Sequence, residues 1–204
     1  MHAGRIIVYI FAACCAIALA FSIWLGVTGR DEARENQSIL GLRQIHEKAQ
    51  RWAREHEGTY PDHTARLLTW TSLSPADFTD PREPQDSVWT IAGVDGTGLP
   101  LTSSDPDRAS AARDELTAAI ESAGNPPWYR FGDFYFVQLS QPTNDPRIVF
   151  GWTIRGEGGR RFIMFDDGNA RRIERAEWEI VWEADAAARS AKGLPTRDMP
   201  PFEG

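Results

Sequence analysis

The chain has 204 residues, of which 42% are hydrophobic, and a formal net charge of −7. Its 22 basic residues are scattered rather than blocked, which argues against a nucleic-acid binder with a basic face. Both cysteines, Cys14 and Cys15, fall in one apolar run. The rest of the chain therefore has no disulfide, no thiol nucleophile and no cysteine-based zinc site.

That run, Ile6 to Thr28, is free of charge over twenty-three residues. At about 1.5 Å per helical residue it is long enough to cross a hydrocarbon core of roughly 30 Å. Residues 1–29 are expected to form an uncleaved transmembrane anchor that holds the protein at the inner membrane through residues 6–28. Three other readings stay open. Ala18-Leu19-Ala20 has the form of a signal-peptidase site, Phe11-Ala12-Ala13-Cys14 that of a lipoprotein site, and the run also fits a buried helix of a cytoplasmic protein. A five-residue leader is more easily left inside than translocated, so the C-terminal bulk is expected outside the cytoplasm, on a single pass.

Beyond the anchor, residues 30–193 read as an α+β head that includes an amphipathic stalk over 31–57. In the stalk, Leu42, Ile45, Ala49, Trp52 and His56 recur at three- and four-residue spacing and share one side of a helix. The other side is charged, with Glu47 and Arg51 placed as an i,i+4 pair. Gly41 weakens the helix locally and can mark a bend. Gly58 is expected to stop the helix, with Pro61 soon after. His46 and His56 each precede a glutamate, but Gln50 and Tyr60 stand where a zinc helix needs its second histidine.

After the stalk, Asp62 is expected to cap a short helix reaching Trp70. Ser74-Pro75 opens another single turn. Residues 80–106 look like a surface loop with one short strand at Val88–Ile91. A helix follows from about Asp107 to Ala123, stopped at Gly124. Strand chemistry then takes over at Phe131–Leu139, Arg147–Arg155, Arg161–Asp166 and Ala170–Ile173, which predicts three or four antiparallel strands. Asp167-Gly168 is a two-residue hairpin signal of type I′. A last helix over Ala176–Lys192 should bury Trp178, Val181 and Trp182, and 194–204 reads as a disordered tail. The predicted class is thus α+β: a long N-terminal helix, first membrane-spanning and then amphipathic, packed on a small antiparallel sheet, with a C-terminal helix.

An apolar helix, an amphipathic continuation and then a sheet is the plan of type IV pilins and pseudopilins. The segment from Leu42-Arg43-Gln44-Ile45 to Gly58-Thr59-Tyr60-Pro61-Asp62 resembles the family's helix end at "Asn-x-Gly-x-Tyr-Pro". Leu73-Ser74-Pro75-Ala76-Asp77-Phe78 sits where such proteins have a "Leu-x-Pro-x-x-Phe/Leu" turn. The stretch from Gly156 to Asn169 resembles the closing hairpin of planctomycete-type pilin-like proteins. Two parts of the family pattern are missing. Gly4 is followed by Arg5, without the prepilin cleavage context, and no acid occurs before Asp31. Asn169 replaces one hairpin histidine, and no histidine follows His63.

The resemblance implies a membrane-anchored, exported structural or interaction protein whose partners are other pilin-like or secretion-system proteins. The chain has no Gly-x-Ser-x-Gly elbow, no phosphate-binding loop and no histidine cluster, so no catalytic residue is expected. The alternative is a periplasmic head that binds calcium or a small ligand. Its candidate oxygens are Asp145, Asp166, Asp167 and Asn169, and the resemblance adds that major pseudopilins bind calcium near their C-terminus. The same residue types are also ordinary turn formers. No other cofactor is expected. The residues assigned a structural role are Leu42, Ile45, Trp52, Gly58, Pro61, Asp167 and Gly168. One strand face, carrying either Phe162 and Met164 or Ile163 and Phe165, is expected to meet the stalk stripe.

Overall fold

The computed structural model describes residues 32–70, 73–80, 88–96, 98–101, 103–124, 126–153 and 160–202. The expected anchor at 1–29, the glycine-rich stretch 156–159 and the last two residues lie outside these. Among the described residues no helix is long and apolar enough to cross a membrane. The chain divides into two compact units, Met1–Gln37 and Ser38–Gly204. In the first, the described residues 32–37 are helical. All that follows concerns the second.

Helix α1 occupies residues up to 55, and its buried line is Ser38, Leu42, Ile45, His46, Ala49 and Ala53. Trp52, expected on this seam, is only half-buried beside it. Its ring stacks on His56 at 3.9 Å and meets Trp70 edge-on at 5.3 Å. The seam turns toward Ala53 because the small side chain lets helix and sheet approach, while the indole covers the flank. Arg51 pairs with Glu55 at 3.0 Å rather than with Glu47. Gly41 marks no break in the helix; a Cβ there would sit 3.3 Å from the Asp77 carbonyl and 3.5 Å from the Phe134 ring. The helix closes where Gly58 N donates to Ala53 O at 2.8 Å.

Helix α2 spans Arg66–Trp70. Its entry is capped by His63, whose Nδ1 accepts from Ala65 N at 3.1 Å. Asp62, expected to be the cap, instead grips the Arg66 guanidinium through both oxygens. A 3-10 turn follows at Pro75–Phe78, where the Asp77 carboxylate accepts from the Ser74 amide and hydroxyl. The expected loop contains a small hairpin, β1 (Thr90–Ile91) with β2 (Val94–Asp95). Helix α3, Pro106–Ala123, is capped by the Asp105 carboxylate and packs on α2 and on this hairpin.

The main sheet is a five-stranded antiparallel meander: β3 (Trp128–Phe131), β4 (Phe134–Val137), β5 (Val149–Thr153), β6 (Arg160–Phe165) and β7 (Ala170–Glu174). The single strand expected at Phe131–Leu139 is broken into two by a turn at Gly132-Asp133. That turn is wired to its surroundings, with Asp133 N donating to Phe78 O and the Asp133 carboxylate accepting from Asp80 N.

Register sorts the two faces of the sheet. Tyr135, Trp152, Ile163 and Arg171 lie in line across β4–β7, as do Phe136, Gly151, Met164 and Ala170. Helix α4, Arg175–Ala191, covers the first line, with Trp152 edge-on to Trp178 and Trp182. Helix α1 covers the opposite face, with Gly41 against Phe134 and His46 edge-on to Phe150. By alternation Met164 and Phe162 belong to the α1 face, and Ile163 and Phe165 to the α4 face.

The segment after α4, expected to be disordered, is packed over residues 194–202. Trp178 Nε1 donates to Pro200 O at 2.9 Å, and Phe202 meets Trp178 edge-on at 5.1 Å. Arg161 stands over the Phe202 ring at 4.8 Å, and Arg197 donates to Pro127 O and Gln138 O. Aromatic and guanidinium anchors hold a stretch that composition alone marks as loose.

Candidate functional site

At the end of β6 the chain turns through Asp166, Asp167 and Gly168. Gly168 N donates to Phe165 O, and Phe165 N to Asn169 O. Gly168 has φ +83°, whereas neither Asp166 nor Asp167 has a positive φ. The expected two-residue type I′ turn is therefore replaced by a three-residue loop, with a tight turn followed by a left-handed glycine. The extra loop residue is Asp166, and the turn drives its carboxylate inward.

Asp166 is fully buried, and its donors come from three separate parts of the chain. Oδ1 accepts from the Tyr60 hydroxyl at 2.7 Å. Oδ2 accepts from the Thr143 hydroxyl at 2.6 Å, the Asn144 amide at 3.0 Å and the Thr143 amide. From α1, His46 Nε2 lies 3.1 Å from the Asp166 carbonyl and 3.7 Å from Oδ1. Gln50, one turn on, donates to the same carbonyl at 3.3 Å and to Asn144 Oδ1. A carbonyl can only accept, so this contact is a hydrogen bond when His46 Nε2 carries a proton.

Burial pushes the Asp166 carboxyl upward, but hydrogen bonds from His46, Thr143 and Tyr60 outweigh it and hold the group below the usual carboxylate range. Burial, followed by the Asp166 charge, raises the Tyr60 hydroxyl far above an ordinary phenol. This is a fixed donor facing a fixed anion. The neighbouring space, between Ala49, Tyr60 and Phe150, is about 10 Å³, room for no more than one water. The arrangement fastens stalk, post-stalk turn, 142–146 loop and hairpin to one carboxylate.

The structure brings together only part of the expected set. Leu42 and Ile45 are fully buried on the seam, and Pro61 is buried beside Tyr60. Asp145 turns away to Arg147, at 3.0 and 2.9 Å, with Lys192 at 3.6 Å from Oδ2. Arg147 holds its carboxyl down at about 2. Asp167 is occupied by the amide and side chain of Asn169. Among the described residues no three His, Cys, Asp or Glu side chains are grouped to hold a metal ion.

Sequence reasoning missed His46, Gln50, Tyr60 and Thr143 as partners of Asp166, since all are distant in the chain. It also missed a buried ion pair on α4. Asp185 Oδ1 accepts from Val149 N at 2.8 Å, and its Oδ2 accepts from Arg189 Nε at 2.6 Å. Both side chains are at most 2% exposed. A signal for this pair was present, because Trp178, Val181, Trp182, Asp185 and Arg189 continue one helical stripe. Burial raises the Asp185 carboxyl, against the pull of Arg189.

Fold and site together define an α+β head, a helix–sheet–helix sandwich locked at one hairpin. Comparison with known protein families, with curated proteins and with solved structures finds no match to this chain.

Proposed function

We propose that the protein is a membrane-anchored, exported, pilin-like structural or interaction protein, held at the inner membrane by residues 6–28 with its head outside the cytoplasm. The observation that carries this reading is the Asp166 junction. Its hydrogen bonds tie an amphipathic helix to the closing hairpin of an antiparallel meander, and among the described residues the space beside Tyr60 is only about 10 Å³. Such a joint transmits position from helix to head. A binding partner on the head, pilin-like or from a secretion system, would thereby be held at a set orientation to the helix.

The test is fractionation of cells expressing the full chain. The protein should stay in the membrane pellet after an alkaline carbonate wash, and protease added outside spheroplasts should remove the head. Recovery in the soluble fraction, or a head protected until lysis, overturns the reading. A mature N-terminus at Phe21 replaces the anchor with a cleaved signal, and an acylated Cys14 replaces it with a lipoprotein.

A further inference from the structure

The packed C-terminal segment closes one wall of a cleft of about 390 Å³, on the side of the head where β3 begins and β4 ends. Two guanidiniums, Arg189 and Arg197, line it. Arg189 is 1% exposed; its Nε is spent on Asp185, but its Nη2 has no hydrogen-bond partner among the described residues. Arg197 spends both terminal nitrogens on the carbonyls of Pro127 and Gln138, leaving its own Nε likewise unbonded. A buried guanidinium and a half-buried one thus line the cleft, and the buried Asp185 carboxylate is bonded to the first alone. Partial burial, followed by the charge of Arg189, holds the Arg197 guanidinium down to about 10, against the pull of Asp185. A buried donor left unmet carries an uncompensated desolvation penalty, larger when the group is charged. The remaining walls are mostly apolar, from Leu139, Leu194 and Pro195, with hydroxyl-bearing Ser140 and Thr196 beside them.

We propose that this cleft binds a small organic carboxylate with an apolar body, the carboxylate set against Arg189 and Arg197 and the body against Leu139, Leu194 and Pro195. Two neighbouring guanidinium charges suit a carboxylate, and the volume falls in the range of small-molecule sites. An apolar wall beside the charges favours an organic acid over inorganic phosphate, which would leave that wall wet. The inference goes beyond the anchoring role and stands without it. Two sources share the chemistry, a free small acid and the C-terminus of a peptide.

The experiment is calorimetric titration of the full chain in non-ionic detergent. The probes are N-acetyl-leucine, its uncharged amide, inorganic phosphate, and a tetrapeptide ending in leucine with a free carboxylate. The expected result is saturable one-to-one binding of N-acetyl-leucine and none of the amide. Arg197→Gln should weaken it by about tenfold or more, the loss of one charge-assisted hydrogen-bond set. Ser140 is exposed, so Ser140→Phe fills the cleft without touching the core and should abolish binding with the melting temperature unchanged. A peptide that binds more tightly than N-acetyl-leucine assigns the site to chain termini, and equal affinity assigns it to a free acid. No saturable binding of N-acetyl-leucine, equal binding of the amide, phosphate binding in place of the carboxylate, or unchanged affinity in Ser140→Phe overturns the proposal.

Discussion

The Tyr60 hydroxyl and the Asp166 carboxylate, 106 positions apart, meet at 2.7 Å in the interior, joining the end of the stalk to the hairpin that closes the sheet. Three more donors converge on the other carboxylate oxygen, so removing the acceptor leaves several buried groups unmet. Asp166→Asn keeps the size but points an amide nitrogen at donors. It should cost about 3 kcal/mol, and Tyr60→Phe about 2 kcal/mol. Denaturant unfolding of the full chain in non-ionic detergent measures both. In the double variant the losses should be less than additive, because the two share one bond. An Asp166→Asn protein within about 0.5 kcal/mol of the parent, the range of an ordinary surface change, would show that the junction contributes nothing.

Stability should fall in two stages as pH is lowered. His63 is buried, stacked on Tyr129 at 4.0 Å and accepting at Nδ1, and burial holds its pKa down at about 4. The unfolded chain therefore takes up a proton near pH 6.5 that the folded chain refuses until about 4. Stability drops between those values, by on the order of 3 kcal/mol for a shift of this size. Below that, Asp166 takes over. Its folded pKa is depressed, so its contribution is present above the ordinary carboxylate range and is lost as pH falls through the folded value. Unfolding midpoints from pH 7 to 3 should show both stages, with the first flattened in His63→Gln. An identical upper limb in that variant would remove His63 from the account.

The seam of α1 gives a contrast within one helix. Ile45 is fully buried, and Ile45→Ala should cost about 2–5 kcal/mol. Trp52 is larger but half-buried, so Trp52→Ala should cost less, about 1–2 kcal/mol, rather than the 3–5 expected of a buried aromatic at that position. The reverse order in urea unfolding would put the tryptophan back on the seam.

Calcium should leave the head unmoved. Asp145 is held by Arg147 and Lys192, Asp166 by four donors, and Asp167 by Asn169, so no flexible oxygen cage is free to form around them. At about 1 mM calcium the melting temperature should stay within about 1 °C, as for a protein with no linked site. A rise of several degrees that Asp166→Asn abolishes would restore the metal reading.

What could be read from residues alone was whatever is local. Helix α3 and helix α4 lie within a residue of their expected bounds because Asp105-Pro106, Gly124 and the Trp178/Val181/Trp182 stripe are signals of short range. The α+β class and antiparallel strands followed from runs such as Arg147–Arg155 and Arg161–Asp166, which hold the strands Val149–Thr153 and, but for its first residue, Arg160–Phe165. The Asp166 junction was hidden, since nothing in Asp-Asp-Gly says that the first carboxylate faces inward to residues more than 100 positions away. The type I′ turn was expected because Asp-Gly commonly makes one. Tertiary donors waiting for Asp166 instead favour a loop that contains it. The packed tail was missed for a similar reason. Its proline-rich composition says nothing of Trp178 and Arg161, which hold it from other elements.

The missed turn supplies a final prediction. Gly132 has φ +62°, and a Cβ built on it would lie 2.3 Å from the Phe78 carbonyl and 2.8 Å from the Phe78 Cβ. Both obstacles belong to the 3-10 turn, which is itself fixed through Asp133 and Asp80. Gly168 has φ +83°, yet a Cβ there would meet only the His46 ring at 3.5 Å, an ordinary contact. The two glycines therefore share a backbone penalty of about 1 kcal/mol for alanine, and only the first adds a clash with main chain. Gly168→Ala should cost about 1–2 kcal/mol, whereas Gly132→Ala should exceed about 3 kcal/mol by forcing β3–β4 away from the turn. Unfolding of the two variants side by side settles the order. Equal losses would mean that backbone conformation alone matters and that the turn at Phe78 yields to the sheet.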